Sequence, residues 1–386
     1  MNNWKKIKIE EVCSFINGYA FDSNKYVQNG IQVIRITNVQ KGYISDTDKK
    51  FYKEEKELER YKLIEGDLLI SLTGNVGRVG VIKSENLPAY LNQRVSCVRI
   101  KNNNLLNKRF LFNFLNSDSF EKTCIKNSKG IAQKNISTVW LREIKIPLPA
   151  MEEQRKIAQR LDAVSDLLAK QKQLLSEQDN LIQSTFYDMF GDHQLSQQKG
   201  QWNKISDVAV VAGGSTPKTQ TPEYWDGDLN WFTPAELENC SWYVYSSQRK
   251  ITTAGVKSCH LEEFPINTVL LSSRAPIGKL AIARETFYCN QGFKNIICGE
   301  TVNPIYLYHL LMYNINYMKS LGKGATFKEI SKKIVEDIKI PVPPLELQEK
   351  FAAIVKQIES EKSKIKSAIA ETQTLFNALM SEYFEE

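Results

Sequence analysis

Gly278-Lys279 is the nearest approach in this sequence to a triphosphate cradle, where glycines let backbone amides surround phosphates and a lysine reaches their oxygens. Leu280 follows where Ser or Thr would be needed, and Ser273 stands where that cradle requires glycine, so nucleotide chemistry is not expected. Gly74, Gly77 and Gly80 are spaced G-x-x-G-x-x-G in a strand-turn region, which is not the spacing of a dinucleotide turn. Glu143-x-Lys145 and Asp337-x-Lys339 echo the acid-x-Lys half of a metal-dependent nuclease site. Both precede I-P-x-P, where an exposed strand alternating charge with isoleucine explains them equally well. The histidines are His193, His260 and His309, and none is spaced for zinc, so no metal site is expected. Neither Asn-Pro-Pro-Tyr nor Asp-Pro-Pro-Tyr occurs, which argues against transfer of a methyl group to a flipped base. No catalytic residue is therefore assigned.

The scaffold that would carry any site is large. A chain of 386 residues has room for two or three domains with real cores. Hydrophobic residues at 42% and charged residues at 25% are globular values, which excludes a mainly disordered or collagen-like chain. No run of eighteen apolar residues occurs, and MNNWKKIKIEEV lacks the apolar core of a signal peptide, so a cytoplasmic protein is expected. Cys13, Cys97, Cys124, Cys240, Cys259, Cys289 and Cys298 include no C-x-x-C pair and read as reduced core filler.

Positive charge is concentrated at one end. Residues 1–150 carry 25 Lys and Arg against 15 Asp and Glu, whereas 201–344 carry 15 against 13. The segments 151–200 and 345–386 are slightly acidic, at 6 against 8 and 5 against 8. A basic first part points to a polyanionic partner.

The chain is written twice. DIKIPVPPLELQEKF at 337–351 repeats EIKIPLPAMEEQRKI at 143–157, and Lys328–Ser331 repeats Lys134–Ser137 in the same register. Upstream, YCNQ at 288–291 answers YLNQ at 90–93, and SSRAPIGK at 272–279 answers SLTGNVGR at 71–78. Short strands are expected at 30–36, 67–72, 79–82 and 94–100, and matching helices at 108–124 and 303–320. QLSQQKGQ at 194–201 reads as a linker.

After each I-P-x-P no proline or glycine follows for some forty residues, so two long helices are expected. Leu167, Leu174 and Leu181 recur every seven residues, as do Leu168, Leu175 and Ile182, with Ile157, Leu161 and Val164 continuing the seam upstream. In the second helix Val355, Ile358, Ile365, Ile369, Phe376 and Leu379 form a seam interrupted by Lys362 and Thr372. Paired antiparallel, helices of this length make a rod of roughly 60 Å with one globular part at each end. That form suits duplex DNA with two half-sites.

These residues carry a resemblance. The doubled I-K-I-P-x-P-x-x-x-x-Q blocks, the run GGSTPKTQTPEYWDGDLNWFT at 213–233, and the turns V-G-R-V-G and I-G-K-L-A resemble the specificity subunits of type I restriction-modification enzymes. The first half departs from the pattern, with NGYAFDSNKY at 17–26 in place of GGSTPKTQ. The resemblance implies an α+β fold with two mixed α/β target-recognition domains in pseudo-twofold tandem repeat, joined by two long helices forming an antiparallel coiled coil. The expected divisions are 1–149 and 193–344 for the recognition domains, with 150–192 and 345–386 for the helices.

The resemblance further implies that each domain reads one half of a bipartite double-stranded DNA site. Catalysis would belong to two methyltransferase subunits and to restriction/translocase subunits, which would hold S-adenosylmethionine, ATP and Mg, while this chain binds no cofactor. Polar side chains beside turns are the candidate DNA contacts. In the first domain these are Thr37, Asn38, Lys41, Thr73, Asn75, Arg78, Gln93, Arg94, Gln133 and Lys134. In the second they are Thr216, Lys218, Thr219, Ser273, Arg274, Lys279, Gln291, Lys323 and Lys328. Arg and Lys suit guanine or phosphate, and Asn and Gln suit adenine. A stand-alone nuclease and a noncatalytic coiled-coil scaffold are the alternatives.

Overall fold

The computed structural model describes residues 4–130, 134–197, 202–238, 242–274, 276–323 and 328–385. Gln133, Cys240 and Gly324 lie outside the described residues. The chain divides into two compact units, Met1–Gln173 with Lys366–Glu386, and Leu174–Ile365. Each unit combines a mixed sheet-and-helix body with half of each long helix.

In the first unit a four-stranded antiparallel sheet runs Cys13–Asn17, Val95–Ile100, Leu68–Ser71, Val79–Val81. The central Leu68–Ser71 is buried along its whole length, as a strand covered on both faces must be. A smaller sheet joins Phe51–Tyr52, Ile31–Ile34 and Ala89–Leu91, the last two parallel. Lys6–Lys8 pairs with Lys145–Pro147 and ties the start of the unit to its exit.

The second unit repeats this plan. Its larger sheet runs Ala209–Ala212, Asn295–Cys298, Val269–Leu271, Leu280–Ala283, and gains Tyr243–Val244 at the edge. Lys250–Ile251, Trp225–Phe232 and Tyr288–Cys289 form the smaller sheet, and Asn203–Lys204 pairs with Lys339–Ile340.

The turns explain the glycine motifs. Gly77 and Gly278 sit at φ +80° and +94°, which side chains rarely adopt, and a Cβ at Gly77 would stand 2.7 Å from that of Cys124. Gly18 and Gly214 pass so close to the carbonyls of Asn92 and Cys289 that no Cβ fits. Thus the N-G of the first half and the G-G of the second serve one backbone crossing.

Three expectations change. The helix expected over 108–124 is two, Lys108–Leu115 and Asp118–Lys126, because Ser117 caps the second by accepting from the Phe120 amide at 3.2 Å. Its counterpart breaks at Asn314 into Pro304–Tyr313 and Ile315–Ser320. Asn314 also accepts from the Leu195 amide at 2.8 Å, and Leu195 is fully buried, so the segment read as a linker begins inside the second core.

The third change concerns the helices Met151–Phe190 and Leu345–Phe384, each of 40 residues. Of the two adjacent leucine stripes, the one that faces inward includes Ile157, Leu161, Leu168 and Ile182, whereas Leu167, Leu174 and Leu181 are exposed. Successive residues lie about 100° apart around a helix, so one covering surface cannot bury both stripes. Within the first unit Arg160 Nη1 donates to the Tyr383 hydroxyl at 3.1 Å. Within the second, Asp179 pairs with Lys362 and Phe186 packs on Phe351, so these helix segments run antiparallel. Lys362 bonds Asp179 across the seam to its neighbour, while Thr372 bonds its own helix, at Ala368 O.

Candidate nucleic-acid interface

The end of the strand Leu68–Ser71 gathers several of the candidate contacts. Leu72 donates its amide to Arg94 O and accepts from Ile136 N, both at 2.9 Å, and Gly74 N donates to Lys134 O at 2.9 Å. Thr73 Oγ1 bonds Asn135 Oδ1 at 3.2 Å. Lys129 and Asn135 exchange both backbone bonds, closing the loop that carries Lys134. Thr73, Gln93, Arg94 and Lys134 are thereby held on adjacent backbone segments, with Asn75 in the following turn.

The second unit builds the same frame. Ser273 N donates to Gly292 O at 2.8 Å, Ile330 N donates to Ser273 O at 2.9 Å, and Lys323 and Glu329 exchange both bonds at 3.0 Å. The turn is locked identically in the two units. Ser71 Oγ donates to Asn75 O and accepts from Arg78 N, as Ser272 Oγ donates to Pro276 O and accepts from Lys279 N. Lys323 makes two of these backbone bonds, and Arg274, Gln291 and Lys328 each adjoin a bonded residue in the chain. Thr216 Oγ1 bonds Gln291 Oε1 at 2.6 Å and brings in the loop with Lys218 and Thr219.

Not every candidate faces outward. Asn38 is fully buried, accepting from Arg35 N and donating to Ser45 O and Thr47 O, so it shapes its loop instead of reaching a ligand. Ser273 is likewise buried, with Oγ on Gly292 O at 3.0 Å. Lys41 is exposed but paired with Asp118 and Glu121, and that bond holds the Asp118 carboxyl below the usual carboxylate range. Arg78 Nη1 is given to Gln40 Oε1 at 2.7 Å and Lys279 Nζ to Pro234 O at 2.9 Å, so these equivalent cations brace loops. Thr37, Asn75, Gln93, Arg94, Lys134, Lys218, Thr219, Gln291, Lys323 and Lys328 are exposed, while Thr73, Thr216 and Arg274 are half-buried.

Lys129, Asn135 and Glu329 belong to the frame although the sequence reading passed over them. The signal was present, since Lys129 precedes Lys323 by the same interval that separates Lys134 from Lys328. The glutamine of each I-K-I-P-x-P-x-x-x-x-Q block also has a role that its motif did not reveal. Gln154 is fully buried, accepting from Asn107 N and donating to Leu105 O and Pro149 O. Gln348 does the same with Asn303 N, Thr301 O and Pro343 O. Each fastens the start of a long helix to its own unit.

The acid-x-Lys echoes resolve into structural ties. Glu143 pairs with Lys8 and Asp337 with Lys204, across the two-stranded closures, and the Lys204 and Lys333 ammonium groups hold Asp337 below the usual carboxylate range. Burial pushes the thiols of Cys13, Cys124, Cys289 and Cys298 up to about 12, which leaves them as packing groups. Among the described residues no group of three or more His, Cys, Asp or Glu is placed to hold a metal ion, and no helix is long and apolar enough to cross a membrane.

The family described as type I restriction modification DNA specificity domain matches residues 1–177 and again 199–372. The chain is 44% identical over 155 residues to the type I restriction enzyme MjaIX specificity subunit of Methanocaldococcus jannaschii, covering 39% of this chain and 36% of that protein. The match thus spans about a third of that relative's length. The putative MjaX specificity subunit of the same organism is 25% identical over 379 residues, covering 92% and 87%. Among solved structures, a type I restriction-modification system S subunit from M. genitalium superposes with a TM-score of 0.60 at 16% identity, over 100% of this chain and 98% of that one. At that identity the likeness is one of fold.

Proposed function

We propose, since the chain belongs to the type I restriction modification DNA specificity domain family and carries that domain twice, that it reads a bipartite double-stranded DNA site, one half with each unit. The observation that supports this most is the repeated strand-end frame, which presents Gln93, Lys134 and Lys129 in one unit and Gln291, Lys328 and Lys323 in the other. Lysines supply sequence-independent attraction to phosphate, and adjoining Arg, Asn and Gln side chains carry the donors that distinguish base edges. The contacts are the exposed and half-buried candidates named above together with Gln133. Residues 1–149 and 193–344 serve as recognition domains, and 150–192 and 345–386 as the helices between them.

The chain catalyses nothing itself. Two methyltransferase subunits and restriction/translocase subunits bind it in the cytoplasm and bring S-adenosylmethionine, ATP and Mg. Glu143 and Asp337, the acids a nuclease would need, are held in ion pairs at strand closures, which favours the reading role over the nuclease.

The test is a binding selection from randomised duplexes with the full chain and its methyltransferase partner. Two short fixed words separated by an unspecified spacer are expected, and replacing residues 1–142 by those of a relative should change one word only. A pool with no fixed word, or a change in both words, overturns the proposal.

A further inference from the structure

The two frames share a pattern of backbone bonds, so their side chains can be compared place by place. Leu72 N to Arg94 O in the first unit corresponds to Ser273 N to Gly292 O in the second, and Ile136 N to Leu72 O corresponds to Ile330 N to Ser273 O. Three exposed places then carry the same residue in both: Gln93 and Gln291, Lys134 and Lys328, Lys129 and Lys323. Besides Leu72 and Ser273, three places differ: the second unit has Gly292 in the place of Arg94, Arg274 in the place of Thr73, and Glu329 in the place of Asn135. The arginine is therefore present once in each frame but on different backbone segments.

A chain that reads two unlike half-sites with one backbone frame must keep the groups that hold the common phosphate backbone and vary those that meet bases. The geometry points to Arg94 in the first unit and Arg274 in the second as the residues that select guanine, with Lys134 and Lys328 as sequence-independent anchors. The guanidinium fork matches the O6 and N7 edge of guanine with two donors, whereas an ammonium acts on phosphate as a point charge. Because the two arginines leave from different backbone segments of the frame, the guanine lies at a different position of each half-site. Arg94 is exposed, and the half-buried Arg274 is adjacent to Glu329, whose carboxylate is already engaged by Lys294 at 3.5 Å. This inference rests on the proposed reading of DNA by both units.

The experiment measures binding of the full chain, with its methyltransferase partner, to the selected duplex and to duplexes changed one base pair at a time, over a range of salt. For Arg94→Gly, discrimination against non-guanine at one position of one half-site should fall about tenfold, with the other half-site untouched. Arg274→Thr should do the same at a different position of the other half-site. Lys134→Ala should weaken every duplex alike and lower the slope of log affinity against log salt by about 0.9. Equal weakening of all sequences by Arg94→Gly, with a reduced salt slope, makes Arg94 a phosphate contact and overturns the inference. Unchanged binding by both arginine variants overturns it too. A parent protein that selects no sequence is a different failure, that of the DNA-reading function. Melting temperatures of the variants check that the frame is folded.

Discussion

In the first unit the smaller sheet packs Ile31, Val33 and Leu58 with phenyl and phenol rings, Phe21 being stacked on Tyr90 at 5.7 Å and set edge-on to Tyr52 at 4.9 Å. In the second the corresponding sheet carries Trp225 and Trp231, edge to face at 4.9 Å, with the Arg249 guanidinium 3.4 Å from the centre of the Trp225 ring. The parallel pairing beneath is common to both, Ile34 beside Leu91 and Phe232 beside Cys289. By contrast, the glutamine fasteners and serine locks are the same residues making the same bonds. An apolar layer needs only volume and shape, which several residue sets supply. A side chain that satisfies three fixed backbone groups has almost no substitute. At the fasteners and locks the units thus share what is hydrogen-bonded to the backbone, and in the smaller sheet they differ in what is merely packed.

The largest effect should come from the fasteners. Gln154→Leu strands the Asn107 amide and two carbonyls without partners, and Gln348→Leu strands their counterparts. Each should cost about 3–5 kcal/mol, confined to its own unit. Hydrogen exchange during urea unfolding reads the two units separately. Losses that differ more than about twofold between the units would break their equivalence at this joint.

A smaller effect separates the units. Six residues after the capping Asn107 and Asn303 stand Asn113 and His309, both buried and with side-chain nitrogens that lack hydrogen-bond partners among the described residues. His309 lies among Trp242, Tyr308, Tyr313 and Phe351, and burial, aided by the Lys362 charge, pushes its imidazole down to about 3. Its folded value is below the unfolded one, so the unfolded chain takes the proton first, and stability present above about pH 6.5 is lost as pH falls. The loss is about 2 kcal/mol by pH 5, in the second unit only, since Asn113 does not titrate in this range. His309→Phe keeps the ring volume and should flatten the profile between pH 6.5 and about 5. A slope that survives this substitution assigns the acid sensitivity elsewhere.

The tandem repeat, the strand positions and both long helices were legible in the sequence, because registered identities, alternation and the absence of helix breakers are local signals. What a side chain does inside its unit was not. Asn38 and Thr37 are neighbours of similar polarity, yet one holds three backbone groups and the other is exposed, a difference set by the path of residues 45–47. Arg78 and Arg94 are equally basic, and only the position of Gln40 decides that Arg78 braces a loop. The fasteners were visible as motif letters, but their bonds join Gln154 to residues nearly fifty positions away.

The smallest effect tests which leucine stripe forms the seam. A heptad count serves Leu167 and Leu168 equally, since both are followed seven residues later by another leucine. The structure separates them: Leu168 is 7% exposed and Leu167 46%, with Leu174 and Leu181 at 42% and 48%. Lysine has nearly the helix propensity of leucine, and its stem can lie along the surface while the ammonium stays in water. Leu167→Lys in the first unit and Leu174→Lys in the second should therefore each change stability by no more than about 0.5 kcal/mol, with helical circular dichroism unaltered. If the heptads alone decided, each lysine would enter an apolar seam and cost several times more. A large loss at Leu167 but not at Leu174 would show that the first helix turns a different face inward in the first unit than in the second.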